Sequence, residues 1–220
     1  MRLRRGVFHS LVVALFFFCQ IPATVFGQTI GVSAVALDAS HLLLGGPLVG
    51  AGVTLGWSRP RAPVAFRANG AWLRGRADRT GVACAGLIEP GTCQPEQVHD
   101  ESKLAQGDAG VAVRVLGGQR AALALTADVA IASVRSDTRG LASMRSLNAA
   151  KTLWGGLAGV EASWLPLGRM PIALNIAGTI GGLTPVVIDA AIDGYAPFNE
   201  SFVIRLVRLG ITWRVGSGFR

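Results

Sequence analysis

Three observations predict an all-β chain: segments that alternate apolar and polar residues, connections that alternate between short and long, and an N-terminus patterned for export. The fold class is an eight-stranded antiparallel up-and-down transmembrane β-barrel with its apolar face outward. The last segment carries the pattern most cleanly. There Val207, Leu209, Ile211, Trp213 and Val215 alternate with Arg208, Gly210, Thr212, Arg214 and Gly216, and the segment closes on Phe219. Strand side chains alternate faces with a period of two, so one face is apolar and the other wet. A water-soluble barrel turns its apolar face inward. Here that face is the richer and more aromatic one, on a chain with an export leader, which places the barrel in a bacterial outer membrane.

Residues 1–27 read as a signal peptide. Arg2, Arg4 and Arg5 form the basic region, Leu11 to Cys19 the apolar core, and Val25 to Gly27 the stretch before cleavage at Gln28. The apolar run falls short of the roughly 20 residues a transmembrane helix needs. Phe16, Phe17 and Phe18 precede Cys19 where a lipid-attachment site wants small residues. Residues 28–220 then form a single barrel domain.

Apolar residues make up 50% of the sequence, yet no later stretch approaches about 18 in succession. A membrane protein without apolar helices must close its backbone hydrogen bonds between strands. The 29 glycines suit a crowded lumen and twisted strands. The formal charge of +8 falls to +5 once the three leader arginines are removed, leaving 18 basic residues against 13 acidic ones. They are scattered, without the clustered basic patch and interleaved aromatics of a nucleic-acid site.

Eight segments follow in order. The first covers Thr29 to Asp38 and the second Leu48 to Ser58, where Val49, Ala51, Val53, Leu55 and Trp57 alternate with small residues. The third, Val64 to Arg76, sets Phe66, Ala68 and Trp72 against Arg67 and Asn69. The fourth, Leu104 to Leu116, sets Ala109, Val111 and Val113 against Gln106, Asp108 and Arg114. The fifth, Ala121 to Val134, opposes Leu123, Leu125, Val129 and Ile131 to Thr126 and Asp128. The sixth, Leu153 to Leu165, opposes Trp154, Val160 and Trp164 to Glu161 and Ser163. The seventh, Pro171 to Leu183, opposes Ile172, Leu174, Ile176 and Ile180 to Asn175 and Thr179. The eighth begins near Ser201.

Between them, residues 59–63, 117–120 and 166–170 are short connections, whereas 78–103, 137–152 and 184–200 are long ones. Even-stranded barrels of this type have short periplasmic turns, longer extracellular loops and both termini periplasmic. The aromatics sort accordingly. Trp57, Phe66, Trp164, Trp213 and Phe219 fall towards the short turns, and Trp72, Trp154, Phe198 and Phe202 towards the long loops, as two interfacial girdles would. A soluble inward-apolar barrel needs a charged outer face, and strands two, six and seven carry mostly Gly, Ala, Ser and Thr opposite their apolar residues.

On this strand pattern and its aromatic-terminated last segment, the mature chain resembles the small eight-stranded outer-membrane barrels with OmpA-like and OmpX-like domains. In that family the terminal signal addresses the barrel assembly machinery; here Phe219 is followed by Arg220. The resemblance implies a monomer in contact with outer-membrane lipids.

The lumen of so narrow a barrel is filled by side chains. Its expected polar network comprises Arg67, Asn69, Gln106, Asp108, Arg114, Asp128, Glu161, Asn175, Arg208 and Arg214. Buried charges must pair, so the expectation is a salt-bridged closure and a structural or surface-interaction role. A narrow small-solute pore is one alternative. The other is a lipid-modifying enzyme performing acyl transfer or deacylation around His41 or the run His99-Asp100-Glu101-Ser102. The expected protein is not an enzyme and needs no cofactor or metal. Cys84 and Cys93, in one long loop of an exported chain, are expected to form a disulfide.

Overall fold

The computed structural model describes residues 27–38, 46–58, 62–84, 93–118, 120–142, 146–165, 171–187 and 201–215. Residues 1–26, His41, Phe198 and Phe219 lie outside the described residues. Eight strands follow in order: β1 (Gly27–Asp38), β2 (Leu48–Ser58), β3 (Val64–Cys84), β4 (Cys93–Gly117), β5 (Ala121–Gly140), β6 (Ser146–Trp164), β7 (Ile172–Pro185) and β8 (Phe202–Val215). Each pairs antiparallel with its neighbours in sequence, and β8 returns to β1 to close the ring. The closing ladder runs from Gln28 opposite Val215 to Asp38 opposite Arg205. Closure satisfies the backbone groups that an open sheet edge would leave unpaired.

Exposure follows the period of two. On β8, Val203, Val207, Leu209, Ile211, Trp213 and Val215 face outward, while Phe202, Ile204, Leu206 and Arg208 are buried inside. Trp154 and Trp164 mark the two borders of the outward apolar band on β6. Ten residues separate them, about 33 Å along the strand and about 25 Å along the axis at a tilt of about 40°. Trp57 pairs with Phe66 near the short-turn end. Phe202 departs from expectation: it faces the lumen and is buried rather than joining a girdle.

Several strands outgrow their expected limits. β3 continues from Arg76 to Cys84, and β4 starts at Cys93 instead of Leu104. β5 runs to Gly140 instead of Val134, and β6 starts at Ser146 instead of Leu153. The connections expected over 78–103 and 137–152 are therefore largely β-ribbons rather than loops. Both faces of these extensions meet polar surroundings, so the alternation signal disappears although the backbone ladder persists from Arg76–Glu101 to Cys84–Cys93. β1 begins earlier than expected, at Gly27, and β7 ends later, at Pro185.

Inward glycines let neighbouring strands coil tightly. A Cβ on Gly155 would lie 1.8 Å from the Gly182 carbonyl oxygen, and one on Gly50 would lie 1.8 Å from that of Trp72. No side chain fits at such a backbone approach.

Candidate functional site in the barrel lumen

The lumen is layered along the barrel axis. Its middle holds the polar residues that the inward positions of β3, β4, β5, β6 and β8 deliver to one level. Arg67 is the hub. Its Nε donates to Asp128 Oδ1 at 2.9 Å and its Nη1 to Glu161 Oε2 at 2.9 Å. Its Nη2 donates to the second oxygen of Asp128, completing a bidentate pair. The side chain of Asp128 is wholly buried, while that of Glu161 keeps 27% exposure. A planar guanidinium suits this task because its fixed fork meets a carboxylate with two parallel bonds and retains donors for another.

Asp108 is the second hub. Arg208 donates to it through Nη2 at 2.5 Å, with Nη1 at 3.5 Å from the other oxygen. Asn69 Nδ2 donates to Asp108 Oδ1 at 2.5 Å and Gln106 Nε2 to Oδ2 at 3.1 Å. Asn175 Nδ2 donates to Thr212 Oγ1 at 2.7 Å. Between these groups lies a cavity of about 30 Å³ bordered by Ser33, Arg67, Asn69, Glu161, Asn175 and Arg208. Arg114 and Arg214 stand apart, at the short-turn mouth. Arg114 is exposed beside a register shift between Arg114 and Leu116, within electrostatic range of Arg214.

The expectation of a polar lumen throughout does not hold. Towards the long-loop end the inward positions turn apolar, and Val35, Leu37, Leu48, Leu73, Leu104 and Val134 pack with Leu153, Leu183, Ile204 and Leu206 into one buried cluster. An apolar layer across a narrow barrel excludes water without requiring paired charges. The signal was present in the sequence: at Val35-Ala36-Leu37, Ala130-Ile131-Ala132 and Leu153-Trp154, apolar residues occupy both faces in succession.

Beyond that layer lies a second polar cluster, which the alternation did not reveal. The buried carboxylate of Asp100 receives Arg79 Nε and, at 2.5 Å, Thr138 Oγ1. Ser102 and Ser136 are buried next to it across β4 and β5. The run from His99 to Ser102 does not converge on a common point. His99 faces outward to Asp78, with Nδ1 2.6 Å from Oδ1, whereas Asp100 and Ser102 are buried on the inner face. Successive residues of one strand point to opposite faces, so this tetrad cannot form a catalytic triad. The ladder sets Cys84 opposite Cys93 at the ends of β3 and β4.

No protein-family model matches the sequence, and no curated protein matches it. Solved structures do match in fold. A major outer membrane protein from Thermus thermophilus shares 14% identity, with 86% of this chain and 99% of that chain covered at a TM-score of 0.51. Ail, the attachment invasion locus protein of Yersinia pestis, shares 10% identity over 86% and 97% of the two chains at 0.49. The outer membrane protein OprG from Pseudomonas aeruginosa shares 9% identity over 88% and 98% at 0.47. The chain has the fold of the small eight-stranded outer-membrane β-barrels.

Proposed function

We propose that this chain is an integral outer-membrane protein with a closed lumen, monomeric and not an enzyme, whose role is structural or one of surface interaction. The observation that carries the reading is the stacking of two different seals inside one ring. Arg67 pairs with Asp128 and Glu161 and Arg208 with Asp108 at mid-lumen, and an apolar layer lies next to them towards the long loops. The mid-lumen cavity of about 30 Å³ accommodates one or two water molecules. A small-solute pore is therefore the weaker reading. An acyl-transfer enzyme is weaker still, because His99 and Ser102 lie on opposite faces of β4. The short turns and both termini then lie on the periplasmic side, the ribbons of β3 to β6 stand outside the cell, and β8 is the strand presented to the barrel assembly machinery.

Two measurements test this. Electrophoresis in detergent, heated against unheated, should show a heat-dependent mobility shift, as a stable closed barrel gives. Planar-bilayer recording should show no steady conductance. A protein soluble without detergent and lacking the shift would defeat the membrane reading, and sustained channel openings would defeat the closed lumen. Replacing His41 and His99 by alanine should leave the cell's lipid profile unchanged.

A further inference from the structure

The outer face of β3, β4 and β5 forms a register of rows across three strands. Val64, Val113 and Leu125 make the first row, followed by Phe66, Val111 and Ala127. Three further uncharged rows lead to Trp72, Ala105 and Ser133. The next row is Arg74, Lys103 and Arg135, three cations directly opposite one another. Beyond it the signs mix: Arg76 with Glu101 and Asp137, then Asp78 with His99 and Arg139. Ten residues separate Val113 from Lys103, about 33 Å along the strand and about 25 Å along the axis. The all-positive row thus falls at the height of a headgroup layer, directly above the exposed Trp72.

Like charges opposite each other across strands are destabilising, and the rows above avoid the problem by pairing opposite signs. Arg76 lies 3.8 Å from Glu101, and His99 pairs with Asp78. In the boundary row, Lys103 and Arg135 each reach along their own strand to one acid, Glu101 at 3.3 Å and Asp137 at 3.6 Å. Both cations remain about half exposed. Arg74 is exposed and has no salt bridge among the described residues. Positive charge therefore remains in excess at the border of the apolar band, on the side of the long ribbons. Basic side chains there can reach lipid phosphates while the aromatic ring below anchors the same strand.

We infer that Arg74, Lys103 and Arg135 form a docking row for the phosphate groups of an anionic lipid headgroup in the leaflet on the long-ribbon side. This rests on the membrane-barrel reading above, and it identifies which part of the wall selects the lipid and by what chemistry. Arginine presents a fork that fits phosphate bidentately, and lysine between the two arginines supplies a point charge. Three cations on adjacent strands about 4.8 Å apart match a headgroup carrying more than one phosphate better than a zwitterionic one.

The test compares the full-length protein with Arg74→Gln/Lys103→Gln/Arg135→Gln in detergent. The probes are bisphosphorylated lipid A, its dephosphorylated form and phosphatidylcholine, and retained lipid is read by native mass spectrometry. The parent should retain the bisphosphorylated lipid at least tenfold better than either other probe. The triple variant should lose that preference, and Arg74→Lys/Arg135→Lys should keep most of it. Raising the salt concentration should weaken retention in the parent. Equal retention of all three lipids, or an unchanged preference in the triple variant, would overturn the proposal. So would a variant that loses only binding to soluble heparin, which would assign the row to a sulfated glycan instead. The heat-dependent mobility shift, measured on the same samples, reports the barrel separately. Its presence without lipid preference defeats the docking row alone, and its absence from the parent defeats the membrane reading.

Discussion

Replacing Arg67 by alanine strands two carboxylates in the lumen. Among the described residues, the donors to the Asp128 carboxylate all belong to Arg67, and Asp128 is wholly buried. Removing one partner of a buried ion pair costs about 3–5 kcal/mol, because the remaining charge has neither solvent nor counter-ion. Glu161, 27% exposed, can recover part of its hydration and should add little. With a urea dependence of about 2 kcal/mol per molar, the unfolding midpoint of Arg67→Ala in lipid vesicles should fall by about 1.5–2.5 M. The companion variant Arg67→Ala/Asp128→Ala removes the orphaned charge as well and should recover most of the loss, leaving a deficit of about 1–2 kcal/mol from the vacated volume. Tryptophan fluorescence follows both transitions. A fall under about 0.5 M for the single variant, or a double variant no more stable than the single one, would refute the reasoning. Either result would mean that water already reaches Asp128 and that the seal is not dry.

Other expectations follow from particular contacts. Gly155→Val should abolish the heat-dependent mobility shift, because its Cβ would lie 1.8 Å from the Gly182 carbonyl and force β6 and β7 apart; normal folding yields would count against the tight coiling described above. Glu101 is held below the usual carboxylate range, first by its hydrogen bond from Lys103 and then by the charges of Lys103, Arg76 and Arg74. A depressed folded pKa contributes stability that is present above the ordinary Glu value and lost as pH falls through the folded one. The stability difference between the parent and Glu101→Gln should therefore be constant near neutral pH and shrink in acid below about pH 4; urea midpoints across the range check this, and a constant difference would contradict it. Cys84 and Cys93, opposite each other in the ladder, are expected to be joined by a disulfide in the exported protein. An alkylating reagent should add mass only after reduction, and labelling of the unreduced protein would rule the bond out.

The period of two was legible because a bilayer acts on one face of each strand only. β2, β7 and β8 are bounded as the alternation reads them, to within a few residues, and the inward positions of Arg67, Asp108, Asp128 and Arg208 follow from the same parity. The upper parts of β3 to β6 were not legible. Beyond the apolar band both faces meet polar surroundings, and residues such as Arg76, Glu101, Asp137 and Asn148 carry no signature separating a paired ribbon from a loop. The apolar layer was visible only as a lapse in alternation, which reads equally well as a weaker strand.

Composition and periodicity by themselves determined the strand count and the outward apolar face, because each depends only on a residue's own strand and parity. Tertiary structure decided everything that depends on register between strands. The pairing of Arg67 with Asp128 spans 61 residues and that of Arg208 with Asp108 spans 100, and neither separation is encoded in local pattern. The alignment of Arg74, Lys103 and Arg135 likewise exists only because β3, β4 and β5 meet in one register. A shift of one residue would turn each of those side chains to the other face, since neighbouring positions on a strand point in opposite directions.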